Sequence, residues 1–201
     1  MVAEGWNHNT HYHDRLLRAV PRPCPRALDV GCGLGGFARR LASEAHHVDA
    51  IDRDPDVIRR ARELSPAAAN VRFAEADFLE WRGDEPYDFV SMVATLHHLP
   101  FGDAVRHGAA LLRPGGVLGV IGLDRARSLA HMCIRGAVAY PTSRFYRLTR
   151  RTAEVGAPIR EPEMTLETIR RDAAALLPGA VIRRHVLWRY SLVWIKPIRE
   201  R

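Results

Sequence analysis

The chain has 201 residues, of which 47% are hydrophobic and 26% charged, the composition of an ordinary globular domain rather than of a disordered or fibrous one. No apolar run reaches the ~18–20 residues of a membrane span, Met1–Asn9 is too polar for a secretory leader, and Cys24, Cys32 and Cys133 form neither a disulfide frame nor a CxxC zinc pattern, so a cytoplasmic protein with reduced thiols and no metal site is expected. The formal charge of +7 comes from arginines in scattered pairs such as Arg39/Arg40 and Arg183/Arg184, with Lys196 the only lysine, which fits a solvated surface better than one nucleic-acid-binding face.

The first segment, Trp6–His13, crowds His8, His11, His13, Trp6 and Tyr12 together, without the cysteine or carboxylate pattern of a metal site. Ala27–Val30 reads as a short strand ending at glycines, followed by a helix over Gly36–Glu44 with Phe37 and Leu41 on one face. His47–Ile51 is a second strand. Asp54 then caps a helix that starts with Pro55 and carries Val57, Ile58, Ala61 and Leu64 as its apolar stripe. Strands are expected at Val71–Ala74 and Phe89–Val93, with a helix over Asp103–Leu112. Pro114-Gly115-Gly116 is expected to end that helix and turn the chain into strand Val117–Ile121. A basic insertion, Arg125–Arg160, with a helix across Leu129–Tyr140, interrupts the alternation. Thr165 caps a last helix with Ile169, Ala173 and Leu176 on one face, and Pro178-Gly179 stops it. Val181–Leu187 and Ser191–Ile195, joined by a short turn, form an antiparallel pair. This alternation predicts an α/β, Rossmann-like, doubly wound sheet of seven strands, mostly parallel with an antiparallel last strand.

Leu28-Asp29-Val30-Gly31-Cys32-Gly33-Leu34-Gly35-Gly36 joins the first strand to the first helix. Glycines there allow a tight turn and close backbone approach to a ligand at a helix N-terminus. Gly31, Gly33 and Gly36 also fit the G-x-G-x-x-G of dinucleotide enzymes, so the turn alone does not choose a cofactor. Asp52, 21 residues after Gly31, ends the second strand, where a carboxylate can accept both hydroxyls of an adenosine ribose. Asp29 is more selective. Its carboxylate would repel a pyrophosphate but attract an ammonium. Glu75-Ala76-Asp77-Phe78 follows the third strand with an acceptor for an adenine amino group and an apolar ring.

These segments resemble the class I S-adenosylmethionine (SAM)-dependent methyltransferases. Leu28–Gly36 is similar to their first motif and His47–Asp52 to the second. Glu75–Phe78 is similar to their adenine loop, and Tyr87–Val90 with Leu96–Leu99 to the fourth motif. Leu111-Leu112-Arg113-Pro114-Gly115-Gly116 is similar to the turn before strand five. The resemblance covers Arg26–Leu123 and implies a SAM site, giving S-adenosylhomocysteine as product, lined by Asp29, Gly31, Gly33, Asp52, Arg53, Asp77 and Phe78, with the Ala94 backbone near the methionine part. It also implies a cap over that part from the N-terminal segment, with Tyr12 and His8 as hydrogen-bond donors, and an acceptor pocket shaped by the insertion, with Tyr140, Arg144 and Tyr146.

His97 and His98 follow the fourth strand, where ligands bind in open α/β sheets, and are the candidate catalytic bases; a pocket-shaping role is the other reading. One domain over 1–201 is expected, divided into a cap (1–25), a SAM-binding core (26–124), the insertion (125–160) and the last helix with the strand pair (161–201). The expected reaction is methyl transfer to a small-molecule acceptor at oxygen, nitrogen or carbon. An RNA methyltransferase is the alternative that the basic charge suggests. Ala94-Thr95-Leu96-His97-His98 lacks the Asn/Asp-Pro-Pro-aromatic element of enzymes that methylate base amines, and no RNA-binding module is recognisable, so nucleic acid is not the expected partner. A SAM-binding protein without transfer activity is a third reading.

Overall fold

A computed structural model describes residues 10–125, 161–185 and 189–198. After a 3-10 turn over Thr10–Tyr12, the elements run α1 (His13–Leu17), β1 (Arg26–Val30), α2 (Gly36–Leu41), β2 (His47–Asp52), α3 (Pro55–Glu63), β3 (Val71–Glu75), β4 (Tyr87–Val93), α4 (Phe101–Leu111), β5 (Leu112–Leu123), α5 (Leu166–Leu176), β6 (Val181–Arg184) and β7 (Arg189–Ile195). They build one seven-stranded sheet in the order β3-β2-β1-β4-β5-β7-β6. The neighbours from β3 to β5 are parallel, while β7 runs antiparallel to both β5 and β6. The expected sheet and its antiparallel last strand are therefore present.

The pleat sorts the side chains into two cores. Ala27, Val48, Ala50 and Phe89 face one side, where Leu16, Phe37, Leu41 and Ile58 cover them. Leu28, Val90, Met92, Leu118 and Val120 face the other, under Ala104, Val105, Ile169 and Ala173 of α4 and α5. Burial on both faces is why the central strands read as near-continuous apolar runs. The order of the strands reverses between β1 and β4, and the helices that follow them, α2 and α4, pack on opposite faces of the sheet; the carboxyl edge at such a switch point is where open α/β sheets bind ligands.

Local chemistry sets the helix starts. Asp54 accepts from the backbone N–H groups of Asp56 (2.9 Å) and Val57 (3.3 Å) ahead of Pro55. Thr165 accepts from Thr168 N–H at 3.3 Å. Each cap stabilises its helix by about 1 kcal/mol.

The structure corrects several boundaries. α2 ends at Leu41 and the next residues form turns, while α4 begins at Phe101. Leu64, assigned to the apolar stripe of α3, is the C-cap residue and is 44% exposed. The largest difference is at Pro114-Gly115-Gly116, which does not separate helix from strand: the chain is already extended at Leu112, opposite Tyr87. Gly115 N–H donates to the Lys196 carbonyl and Lys196 N–H to the Gly116 carbonyl, each at 2.8 Å, so pairing with the end of β7 holds this stretch inside the sheet. The expected helix across Leu129–Tyr140 lies outside the described residues, as does the end of the strand expected over Val181–Leu187. No helix among the described residues is long and apolar enough to cross a membrane.

Candidate functional site

The turn after β1 is held in a conformation that only glycines adopt easily. Gly31, Gly33 and Gly35 have φ of 64°, 52° and 77°. A Cβ on Gly31 would lie 2.4 Å from both Cγ2 and Oγ1 of Thr95, whereas a Cβ on Gly33 would meet nothing within 4 Å. The turn is thus packed against the loop after β4 on one side and open at Gly33. The sequence pattern placed its third glycine at Gly36, but the left-handed residue that caps α2 is Gly35, and a Cβ there would press to 2.7 Å from the Phe73 ring.

Two carboxylates flank this turn. Asp52, half-buried at the end of β2, accepts from Gly33 N–H at 3.0 Å through Oδ2 and from Asp54 N–H at 3.2 Å through Oδ1. A carboxylate offers about four acceptor positions, so these two bonds leave capacity for two hydroxyl donors. Asp29, 1% exposed in β1, accepts from the Ser91 hydroxyl at 2.8 Å. Both carboxylates are felt inside the turn: burial first, then Asp29 and Asp52, push the Cys32 thiol far up, so Cys32 stays protonated. Arg53 is exposed just beyond Asp52.

The carboxyl end of β4 supplies the opposite wall. Ala94 has φ of 55°, a left-handed conformation that costs a non-glycine residue about 1–2 kcal/mol. Its N–H donates to the Ile121 carbonyl of β5 at 2.7 Å, which holds it there. Thr95 Oγ1 lies 3.3 Å from the Gly31 carbonyl and 3.2 Å from that of Val93, so one hydroxyl ties the β4 loop to the glycine turn. His97 and His98 share the next 3-10 turn, Leu96–His98, half-buried, with ring centroids 4.0 Å apart and planes inclined at 39°.

After β3, Asp77 is exposed and accepts from Leu79 N–H at 2.8 Å. Phe78 is 5% exposed, and its ring packs edge-on against His107 of α4 at 5.0 Å, so it belongs to the second core. On the β7 side, Tyr190 lies across Gly122, where a Cβ would come within 2.3 Å of its ring. Asp124 is buried beside it, 3.8 Å from Arg184. Tyr12 is buried and stacks on His185, with centroids 5.0 Å apart and planes at 24°. His185 Nε2 is 2.8 Å from Ser191 Oγ, and burial, helped by Arg15 and Arg183, pushes the imidazole down to about 4, so it is neutral at physiological pH.

The structure therefore brings Asp29, Gly31, Gly33, Asp52, Ala94, His97 and His98 to one edge of the sheet. His8, Tyr140, Arg144 and Tyr146 lie outside the described residues. Thr95, Ser91, Gly35 and His185 were not singled out from the sequence. Thr95 and Ser91 carry no motif beyond being small hydroxyl residues in an apolar stretch.

Strand order, glycine turn and the acid at the end of β2 together define a doubly wound α/β protein with its candidate site at the carboxyl edge of the sheet. Residues 27–116 match the family described as methyltransferase domain. Over 200 residues the chain is 34% identical to an uncharacterised methyltransferase of Mycobacterium tuberculosis, a match covering 96% of this chain and 98% of the relative. It is 33% identical over 128 residues to a ubiquinone biosynthesis O-methyltransferase of Xylella fastidiosa, across 62% of this chain and 52% of that protein. The fold is also that of the N-methyltransferase NodS from Bradyrhizobium japonicum, solved with S-adenosylhomocysteine, with a TM-score of 0.63 at 20% identity over 94% of this chain and 87% of that one. The chain belongs to the methyltransferase family.

Proposed function

We propose that this protein transfers the methyl group of SAM to an oxygen, nitrogen or carbon atom of a small-molecule acceptor in the cytoplasm. The observation that carries the reading is the pairing of Asp52 with Gly33 N–H beside the open face of Gly33, opposite the buried Asp29. The donor set fits the cofactor: Asp52 has acceptor capacity for the ribose, Asp29 suits an ammonium, and the Ala94 backbone borders the methionine part. Asp77 and the backbone at Phe78 take the adenine side, and Arg53 lies at the ribose end. When bound, SAM supplies a methyl group activated by its sulfonium, and the protein's share of the work is chiefly to align the acceptor and exclude water, worth up to roughly 7–11 kcal/mol in the best cases.

In this reading the chain acts as one domain, with 1–25 as cap, 26–124 as cofactor core, 125–160 as acceptor insertion and 161–201 completing the sheet. Tyr12 and His8 belong to the cap, and Tyr140, Arg144 and Tyr146 to the acceptor pocket. The ubiquinone biosynthesis relative supports a small-molecule acceptor.

Calorimetric titration with SAM, S-adenosylhomocysteine and NAD tests the cofactor. Binding of the first two without NAD is expected, and Asp52→Asn should weaken both by roughly 10–100-fold, the cost of losing hydrogen bonds to a charged group. Binding of NAD alone would overturn the reading.

In this reading His97 or His98 takes the acceptor proton. With an acceptor that turns over, His97→Ala or His98→Ala should lower kcat by roughly 100-fold or more while S-adenosylhomocysteine affinity holds. Unchanged turnover in both variants would leave the pair a pocket-shaping role only.

A further inference from the structure

Ser91 lies in the middle of β4, is fully buried and pairs in register with Asp29 of β1. Both side chains project to the same face of the sheet, as neighbours in a parallel pair do. The Ser91 hydroxyl is 2.8 Å from Asp29 Oδ1 and 3.1 Å from the Leu28 carbonyl. It has one proton to give, and an ionised carboxylate is the stronger acceptor. That bond turns one oxygen of Asp29 toward β4 and so fixes the orientation of the carboxylate.

We infer that Ser91 is a positioning residue for the cofactor's amino group: it holds Asp29 in the orientation that attracts the ammonium of SAM, and it does so without touching the cofactor. The inference rests on the SAM reading above. A carboxylate held in one rotamer by a buried partner meets an ammonium without first losing side-chain freedom, whereas one released from its partner must be ordered at each binding event. Thr95, four residues on in the loop after β4, packs against the glycine turn, so β4 and its loop supply two hydroxyl residues that organise the β1 side of the site.

The test compares S-adenosylhomocysteine with its deaminated analogue, which keeps the adenosine, sulfur and carboxylate and lacks only the amino group. Wild-type protein should prefer the aminated ligand. Ser91→Ala should weaken S-adenosylhomocysteine by about tenfold, the scale of one hydrogen bond to a charged group, and leave the deaminated analogue unchanged, so that most of the preference is lost. Ser91→Cys keeps the size with a weaker donor and should show the same selective loss to a smaller degree; it also serves if the alanine variant does not fold. Equal weakening of both ligands would make Ser91 merely structural and overturn the inference, as would unchanged binding of S-adenosylhomocysteine. Wild-type protein that bound neither ligand would instead remove the cofactor reading on which the inference stands.

Discussion

Gly31→Ala is expected to abolish detectable binding of S-adenosylhomocysteine and to lower stability by about 3 kcal/mol. Two costs add. An alanine at φ of 64° is in a left-handed conformation, about 1–2 kcal/mol above its preferred ones. The new methyl group would also stand 2.4 Å from Thr95, and overpacking of this kind costs about 1–3 kcal/mol. For a domain of this size that is a fall in Tm of roughly 10 °C. Relief of either cost requires the turn to move away from the β4 loop, which shifts Gly33 and the Asp52 bond with it. The two costs can be separated. Thr95→Ala removes the two atoms at 2.4 Å and leaves the Thr95 Cβ at 3.0 Å. The Gly31→Ala/Thr95→Ala protein should therefore be more stable than Gly31→Ala alone, while still below Thr95→Ala. Thermal unfolding of the four proteins checks this, and a Gly31→Ala protein with wild-type Tm and wild-type affinity would refute the packed turn.

Elements set by local chemistry were legible without coordinates. Asp54-Pro55 announces a capped helix because a side-chain acceptor and a residue without an N–H are both wanted at that position, and the structure has both. The turn after β1 and the acid ending β2 are legible for the same reason: left-handed backbone demands glycine, and the paired strands bring Asp52 level with the turn. Distant partners were not legible. Pro114-Gly115-Gly116 has the composition of a break, yet Lys196, some 80 residues later, pairs with its backbone and keeps it in β5. Gly35 rather than Gly36 caps α2 because the Phe73 ring of β3 lies where a Cβ would be, a contact no local pattern encodes.

Among the candidate site residues the same division holds. Asp29, Gly31, Gly33 and Asp52 are named by their spacing along two adjacent βα turns, and adjacency in the sheet converts that spacing into proximity. Phe78 is an apolar residue in the right loop, but α4 crosses above it, and His107 takes its ring into the core. Tyr12 is an aromatic residue in a polar segment, and its stacking partner, His185, comes from the far end of the chain. Ser91 looks like an interruption in an apolar strand until the register sets it beside Asp29. Side chains whose task is to hold another side chain depend on three-dimensional pairing, and a single sequence shows only that a polar residue has been placed where burial would otherwise favour an apolar one.

Asp49→Asn is expected to lose about 3–5 kcal/mol, the usual cost of removing one member of a buried charged cluster. Asp49 is fully buried in β2 and accepts from Tyr87 Oη (2.6 Å), Arg72 Nε (2.7 Å) and Arg26 Nη2 (3.1 Å), with His47 Nε2 at 3.1 Å. The two arginines also lie over aromatic rings, Arg26 at 5.3 Å from the centre of Tyr87 and Arg72 at 5.6 Å from that of Trp81. Their outer sides face Glu85 and Asp84. An asparagine here would set an NH2 group against the same donors and leave the guanidinium groups without their buried counter-charge. Burial alone would push the Asp49 carboxyl up, but the bonds from Tyr87, Arg72 and His47 outweigh it and hold the carboxyl below the usual range. A group whose pKa is lower in the folded state binds protons more readily when unfolded. Its contribution is therefore complete above the unfolded value of about 3.9 and is lost as pH falls through the folded value. The gap in unfolding free energy between wild type and Asp49→Asn should be widest at neutral pH and shrink below about pH 4. Denaturant titrations of both proteins at neutral and acid pH measure it. A gap of constant size would mean that the cluster is held by shape and packing, not by the charge on Asp49.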